Sequence, residues 1–425
     1  MSITQNEKIS QVKEETLVVG VDISSEEHFA RVFDWRGKEV AKIFKFCSDK
    51  DGFADFAGWM EKVKFQTGKT EILVGAEPTA EYWFTLAEYL KAEKIKFVFV
   101  SPMHVKRTKE LDDNHPSKTD RKDPKTIAKL VIEGRYLEPY IPEDIYAELR
   151  VMNNNRMRVQ KELNAIKNRI ARWFVIYFPE YRKVFADWGC ESSMVLLQKA
   201  PLPCDIQRLD AESINQLWRE KKLRAVGMKR AKAIYDMAQI SVGVTRGENA
   251  ARFEIKMWLE DYSRKSEQLQ SILATLQTLI TQIPYVEKLL AIKGIGMLTV
   301  ASFAAEVGDL RRFRSPKQIQ KLAGYAIREN SSGKYKGRSA ISKRGRKRLR
   351  QALFQVIMPM IRSNAEFREL YRYYTTRGKN PLKGKQAVVA LACKLIRIFW
   401  VILKTGVDYN SAKLIADIVR ERPAA

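Results

Sequence analysis

Hydrophobic periodicity changes character once along this 425-residue chain, near residue 143, and that change constrains the fold more than any single residue does. Ahead of it, short β-branched runs alternate with helical segments. The run LVVGVDIS at residues 17–24 places an acid, Asp22, where its apolar stretch stops. HFARVFDW, an Arg36-Gly37 turn and KEVAKIFKF follow, a pattern that predicts three strands in a meander. Phe53, Phe56, Trp59, Met60 and Val63 then recur at helical spacing. ILVGAEP reads as a fourth strand, TAEYWFTLAEYLKAE as a helix, KFVFVSP as a fifth strand and KTIAKLVIEG as a closing helix. The polar residues 1–15 read as a loosely held leader.

Behind residue 143 long helices rich in Arg, Lys, Asn and Gln take over, RMRVQKELNAIKNRIARWF among them. In a second long helix Leu269, Ile272, Leu276, Leu279 and Ile283 recur at intervals of three and four, the seam of a coiled coil. That seam serves equally a helix pair within one chain, between residues 150–180 and 250–283, or a contact between two chains. Pro284 ends it. The predicted fold class is α/β plus all-α, in three parts: residues 1–142, a helical and coiled-coil middle over 143–285, and a helical C-terminal domain over 286–425. The order βββαβαβα of the first part is that of an RNase H-like (RuvC-like) domain. A doubly wound α/β domain is the alternative, but its sheet would need parallel crossovers rather than an opening meander.

Charge divides along the same line. Residues 1–150 hold 24 Lys and Arg against 27 Asp and Glu; residues 151–425 hold 52 against 23. A basic surface of that size attracts a polyanion, most commonly nucleic acid. No basic amphipathic helix or lipidation signal stands out to favour a membrane partner. The most apolar stretch, residues 388–403, contains Lys394 and Arg397, is shorter than the ~20 residues that span a bilayer, and reads as a buried helix. Cys47, Cys190, Cys204 and Cys393 lie far apart with no CxxC, which speaks against structural zinc and for a reducing cytoplasm. The N-terminus has no signal-peptide core, and no GxxxxGK[ST] loop implies ATP.

Four acids carry the candidate chemistry. Asp22 ends the first strand, Glu77 the fourth, and Asp120 and Asp123 stand three apart in KTDRKDPKTIA. In a sheet of this order the first and fourth strands are neighbours and the last helix crosses them, so acids distant in sequence converge. Crowded carboxylates repel one another unless a hard cation neutralises them; Mg²⁺ prefers a few carboxylates with water and phosphate oxygens, a set suited to phosphodiester chemistry. Each acid also has a plain structural reading: a strand-end cap for Asp22, a loop acid for Glu77, a helix N-cap ahead of Pro124 for Asp123. Their shared place at strand ends favours a catalytic, metal-binding set of Asp22, Glu77, Asp120 and Asp123.

In the C-terminal part, Lys293, Gly294 and Gly296 of KGIG lie between two apolar helical stretches, as in a helix-hairpin-helix whose backbone amides approach a phosphate; an ordinary helix–helix turn is the alternative. Residues 334–350 hold nine basic residues among seventeen: Lys334, Lys336, Arg338, Lys343, Arg344, Arg346, Lys347, Arg348 and Arg350. A solvated face mixes signs, so this segment reads as phosphate-binding, with Tyr335 available to stack on a base. Ser331-Ser332-Gly333 just ahead of it has the composition of a flexible turn, yet a hydroxyl beside such a patch has phosphates delivered to it.

Taken in order, GVDIS, GAEPTAEYW, KTDRKDPKTIA, LLAIKGIGMLTVASFAAEVGDLRRF and NSSGKYKGRSAISKRGRKRLRQAL resemble the transposases of the insertion-sequence one-ten family, related to the Piv DNA invertases. The likeness covers nearly the whole chain. It implies a RuvC-like domain with an Asp-Glu-Asp-Asp set, a coiled coil, and a C-terminal transposase domain with an essential serine, here Ser332 with Ser331 beside it. It also implies Mg²⁺-dependent cutting and rejoining of donor and target DNA, guidance by a structured bridge RNA, and homo-oligomers (dimers or tetramers) whose catalytic parts come from different subunits. Action would be on the nucleoid, in the cytoplasm. The segment 186–247 is longer than a compact member needs. A RuvC-like nuclease resolving branched DNA with metal-activated water, and a non-catalytic nucleic-acid-binding protein, are the competing functions. Ser332 in its basic loop favours the recombinase over the first, and the intact acidic set over the second.

Overall fold

In a computed structural model of the chain, residues 4–112, 122–328, 331–332, 335–337 and 340–420 are described. They belong to two units, Met1–Ile141 and Pro142–Ala425.

The first unit is a mixed α/β structure on one six-stranded sheet. A short helix α1 (Gln5–Ile9) precedes β1 (Thr16–Asp22), β2 (Glu27–Phe33) and β3 (Phe44–Cys47), which form the expected antiparallel meander. After α2 (Lys50–Gln66), β4 (Glu71–Ala76) joins β1 in parallel; after α3 (Trp83–Ala92), β5 (Lys96–Val100) joins β4 in parallel. Helices α4 (Pro102–Asp112) and α5 (Asp123–Ile132) lead to β6 (Tyr136–Leu137), antiparallel to β5. The strand order is 3-2-1-4-5-6. β1 is buried on both faces, which is why it reads as a continuous apolar run. Leu17, Val19 and Val21 join Phe56, Met60, Leu86 and Leu90 under α2 and α3, while Val18 joins Leu73, Val98, Ile127 and Val131 under α5.

The leader is not loose. Thr4 and Glu7 cap α1 reciprocally, Gln5 Nε2 donates to the Glu133 carbonyl at 3.0 Å, and the Lys8 ammonium donates to the Tyr136 carbonyl. The Tyr136 hydroxyl donates to Gln11 Oε1 at 2.8 Å. A five-residue helix shows no apolar period, so only its capping box betrays it.

The second unit is helical. Between its two long helices, α6 (Asp144–Tyr177) and α12 (Glu248–Ile280), come α7 (Tyr181–Val184), α8 (Glu191–Lys199), α9 (Pro203–Gln207), α10 (Ala211–Glu220) and α11 (Met228–Gln239). The long pair runs antiparallel within the chain. Trp173 Nε1 donates to the Ala251 carbonyl at 3.1 Å near one end, Lys265 and Glu162 pair at 2.6 Å midway, and Leu149 shares a core with Leu276 and Ile280 at the other. The heptad seam is therefore satisfied in cis: Leu276 and Ile283 are buried, and Ile272 and Leu279 pack against the same core. Residues 186–247 are no loose insertion. They cover a second, aromatic core with Trp173, Phe174, Tyr181, Phe185 and Trp218.

A C-terminal bundle completes the unit: α13 (Val286–Leu290), α14 (Met297–Val307), α15 (Pro316–Leu322), the two-residue strands β7 (Ile327–Arg328), β8 (Ser331–Ser332), β9 (Tyr335–Lys336) and β10 (Ala340–Ile341), then α16 (Lys347–Ser363), α17 (Ala365–Thr376), α18 (Gly384–Thr405) and α19 (Ser411–Arg420). At 22 residues α18 is longer than its apolar run suggested and could cross a membrane by length and composition alone. Leu391, Leu395, Phe399 and Ile402 nevertheless lie in the core of the bundle.

Candidate active site

Asp22 and Glu77 owe their placement to the parallel ladder between β1 and β4. Val21 pairs with Ala76 at its end, so the two acids come next on neighbouring strands. Side chains alternate along a strand. Val19 and Val21, with Val74 and Ala76, face α2 and α3, whereas Val18 and Leu73 face α5. Asp22 and Glu77 continue that second row through Gly20 and Gly75, which are partners across the ladder. Both glycines are hard against the helix. A Cβ on Gly20 would lie 1.9 Å from the Pro124 carbonyl oxygen, and one on Gly75 2.4 Å from Val131 Cγ2. α5 thus beds on bare backbone and carries Asp123, its first residue, to the face and level at which the two strands end. The glycine pair escaped the sequence reading, although each stands two residues ahead of an acid, in Gly20-Val21-Asp22 and Gly75-Ala76-Glu77.

Asp123 is 8% exposed, and its carboxylate pairs with the Lys109 ammonium from α4. Lys122, not Asp123, holds the cap position of α5. Asp120 lies outside the described residues. Among the described residues no group of three or more His, Cys, Asp or Glu side chains is gathered closely enough to hold a metal ion. The sheet and α5 align Asp22, Glu77 and Asp123 on one face, and a cation of the chain's own, Lys109, sits against the last of them.

Ser331 and Ser332 are strand rather than flexible turn, as far as the backbone goes. Ser332 pairs with Tyr335 and Ser331 with Lys336, while farther down the same arm Arg328 pairs with Ala340. The two ladders are nested in sequence, and the described strands together are called the β-arm, with Ser332 on the first strand of the inner ladder. Residues 19–179 match a family model of transposases of the DEDD, IS110 type, and residues 286–372 match the transposase IS116/IS110/IS902 family. Asp22, Glu77 and Asp123 fall within the first match and Ser332 within the second. The chain belongs to the IS110 family of transposases. It is a DNA transposase. The transposase is 23% identical to the 42 kDa protein of insertion element IS900 of Mycobacterium paratuberculosis over 297 residues, 69% of this chain and 73% of that one. It is 23% identical over 300 residues to the 43.6 kDa protein of insertion element IS110 of Streptomyces coelicolor, with the same two shares. With the transposase for insertion sequence element IS1111A of Coxiella burnetii it shares 31% identity over 129 residues, 29% of this chain and 34% of that one.

In the transposase the basic segment behind the arm divides by role. Arg346 donates to the Glu306 carbonyl at 2.8 Å and pairs with its carboxylate at 3.5 Å. Arg350 Nη1 donates to the carbonyls of Ala323 at 2.9 Å and Lys343 at 3.3 Å, and its own carbonyl accepts from the Tyr325 hydroxyl at 3.1 Å. Arg348 donates to Asn154 on α6. Arg346 and Arg350 tie the base of the arm to the bundle, whereas Lys343, Arg344 and Lys347 stand exposed. Lys334 and Arg338, and the side chains of Tyr335 and Lys336, lie outside the described residues. Lys293 is exposed between α13 and α14. Gly294 beside it has φ +98°, and a Cβ there would lie 2.9 Å from Met360 Cγ, so this glycine answers first to α16. Gly296 is open: nothing lies within 4 Å of a Cβ placed on it.

Proposed function

We propose that the transposase cuts and rejoins donor and target DNA with two separately held groups, the carboxylates Asp22, Glu77, Asp120 and Asp123 of an RNase H-like first unit and the hydroxyl of Ser332. The observation that carries this reading is the Gly20–Gly75 bed, which lets α5 bring Asp123 to the strand ends where Asp22 and Glu77 stand. The strand order 3-2-1-4-5 within the sheet supports the RNase H-like assignment. An all-carboxylate donor set fits a hard divalent cation, Mg²⁺ above softer metals. Bound there, Mg²⁺ would neutralise the carboxylates and act as a Lewis acid on phosphate oxygens. Lys109, against Asp123, is the group that must yield to it.

Ser332 supplies the covalent step. Its oxygen forms a bond to phosphorus as the bond from phosphorus to a sugar oxygen breaks; the serine proton is lost and the sugar oxygen gains one. The phosphoserine link conserves the energy of the phosphodiester, so a DNA hydroxyl can reverse the step without ATP. Lys343, Arg344 and Lys347 hold phosphates near the arm, Lys334, Lys336 and Arg338 share that role, Tyr335 stacks on a base, and Lys293 and Gly296 hold phosphates from a helix-hairpin-helix. Chain organisation in three parts, 1–142, 143–285 and 286–425, is part of this reading; the separate aromatic core supports a middle part, although Leu149, Leu276 and Ile280 share the core of the third. Guidance by a bridge RNA rests on the family resemblance, and it suits a protein whose basic surface reads backbone rather than sequence. Homo-oligomers in the cytoplasm, with carboxylates and serine contributed by different copies, complete the reading.

The test is Ser332→Ala on suicide DNA substrates. The wild-type chain forms a protein–DNA band that survives denaturation, and Ser332→Ala binds DNA but forms none. A band that persists in Ser332→Ala and vanishes in Ser331→Ala moves the nucleophile by one residue. A band untouched by either change would replace the serine mechanism with hydrolysis by a RuvC-like nuclease.

A further inference from the structure

α6 has two faces of opposite character. Val159, Leu163, Ile166, Ile170, Trp173 and Phe174 are buried, several of them against α12 and the aromatic core. On the opposite side Arg158, Lys161, Asn164, Asn168, Arg169 and Arg172 are all exposed, within an arc of about 140° at 100° per residue. The one acid between residues 149 and 179, Glu162, is occupied by Lys265 of α12 at 2.6 Å. A solvent-facing side of a long helix ordinarily mixes signs. This one carries a single sign, so a second copy of the same face would be repelled and a polyanion attracted.

The spacing says which polyanion. Arg158 and Lys161 form one cationic pair and Arg169 and Arg172 another, eleven residues apart centre to centre, or about 16 Å along the helix. That distance brackets a B-form major groove about 12 Å wide, so each pair meets the backbone on one side of it. Between the pairs stand only Asn164, Ala165 and Asn168 on this face, short side chains that let the helix come down without a bulky obstruction. A helix laid across the groove rests on both backbones and stays above the base edges, roughly 8.5 Å deep. The stripe also meets the basic segment: at its start Asn154 accepts from Arg348 at the head of α16.

We propose that the outer face of α6 is a docking rail for duplex DNA, gripping the two strands through Arg158 with Lys161 and Arg169 with Arg172, without regard to sequence. The inference rests on the chain's being a DNA transposase and not on how carboxylates and serine divide the chemistry.

Full-length protein is titrated with a non-cognate DNA duplex of about three helical turns (~30 base pairs) over a range of salt. Changing Arg158, Lys161, Arg169 and Arg172 together to Gln should lower affinity at least about tenfold at moderate salt and flatten the salt slope by up to ~3.6, about 0.9 for each phosphate no longer neutralised. All four side chains are exposed, so the melting temperature should hold. Replacing the three arginines with lysine should restore most of the affinity, since the rail recognises charge. Ala165→Glu, an anion in mid-stripe, should weaken binding as much as removing one pair. Lys256→Gln with Arg264→Gln, two exposed cations of α12, removes as much charge as one pair of the rail and should change little. A wild-type salt slope in the four-site variant overturns the proposal. So does an equal loss in the α12 control, or a loss confined to an RNA duplex of the same length.

Discussion

The two units place their candidate chemistry by different physical means. In the first, a sheet does it: ladder register and side-chain alternation set Asp22 and Glu77 side by side, and the glycine pair sets the depth of α5. In the second, charge density does it: an arm and a long helix present cations whose positions owe little to backbone register. Register transmits position over long sequence separations, so acids distant in sequence come onto one face. Charge density attracts a partner but leaves the geometry of contact to individual side chains, some of which the bundle claims for itself, as with Arg346 and Arg350.

The contrast breaks first at Leu276. It is 0% exposed where the start of α6 meets the end of α12. Leu276→Asp buries an unpaired charge and should cost on the order of 4 kcal/mol. Hydrogen exchange should show α6 and α12 losing protection while β1 and β4 keep theirs; protection retained in α6 and α12 would mean the seam is not satisfied within the chain.

Next comes Gly20→Ala. The added methyl meets backbone, the Pro124 carbonyl, so α5 must lift, at about 1–3 kcal/mol for overpacking. DNA cleavage should vanish with DNA binding retained. Gly296→Ala, at φ −101° with open space around it, should leave stability nearly unchanged. Equal melting temperatures for both variants would remove the glycine bed from the account.

Lys109→Met is a milder probe of the same site. Removing the ammonium at Asp123 should tighten Mn²⁺ binding, read by calorimetry, by up to about fivefold, the worth of a partly exposed ion pair. Unchanged or weaker binding would place Asp123 outside the cation site.

The smallest effect concerns His28. It is fully buried beside Phe46 and Phe53, and burial holds its pKa below the ordinary 6.5. The folded state favours neutral imidazole, so this contribution to stability is present above pH 6.5 and is lost as pH falls from there toward the lowered folded value. His28→Phe should flatten the decline in melting temperature of the first unit across that window. An identical decline in both proteins would assign it to other groups.

Much of this was legible in the sequence, for reasons that differ by element. β1, β4 and β5 are buried apolar runs, and their order was readable from what separates them. α1 and β6, at five and two residues, are too short for any period to show. α4 is mostly polar and exposed, so PMHVKRTKELD hides its helix, and with it Lys109, whose partner is fixed by how α4 meets α5. In the second unit the basic segment was visible as composition. Which arginines anchor the arm was not, because their acceptors are backbone carbonyls, and a carbonyl has no sequence signature. The seam alone leaves cis and trans pairing open; Trp173 on Ala251 and Lys265 on Glu162 decide for cis.

Asp22, Glu77 and Asp123 are proposed to act as one site at the strand ends. Its most direct test is Mg²⁺-dependent DNA strand cleavage by Asp22→Asn, Glu77→Gln and Asp123→Asn, each measured beside DNA binding. Every single substitution should abolish cleavage and leave binding intact or slightly stronger, as expected when one negative charge near a phosphate is removed. Near-normal cleavage in two of the three would contradict the site.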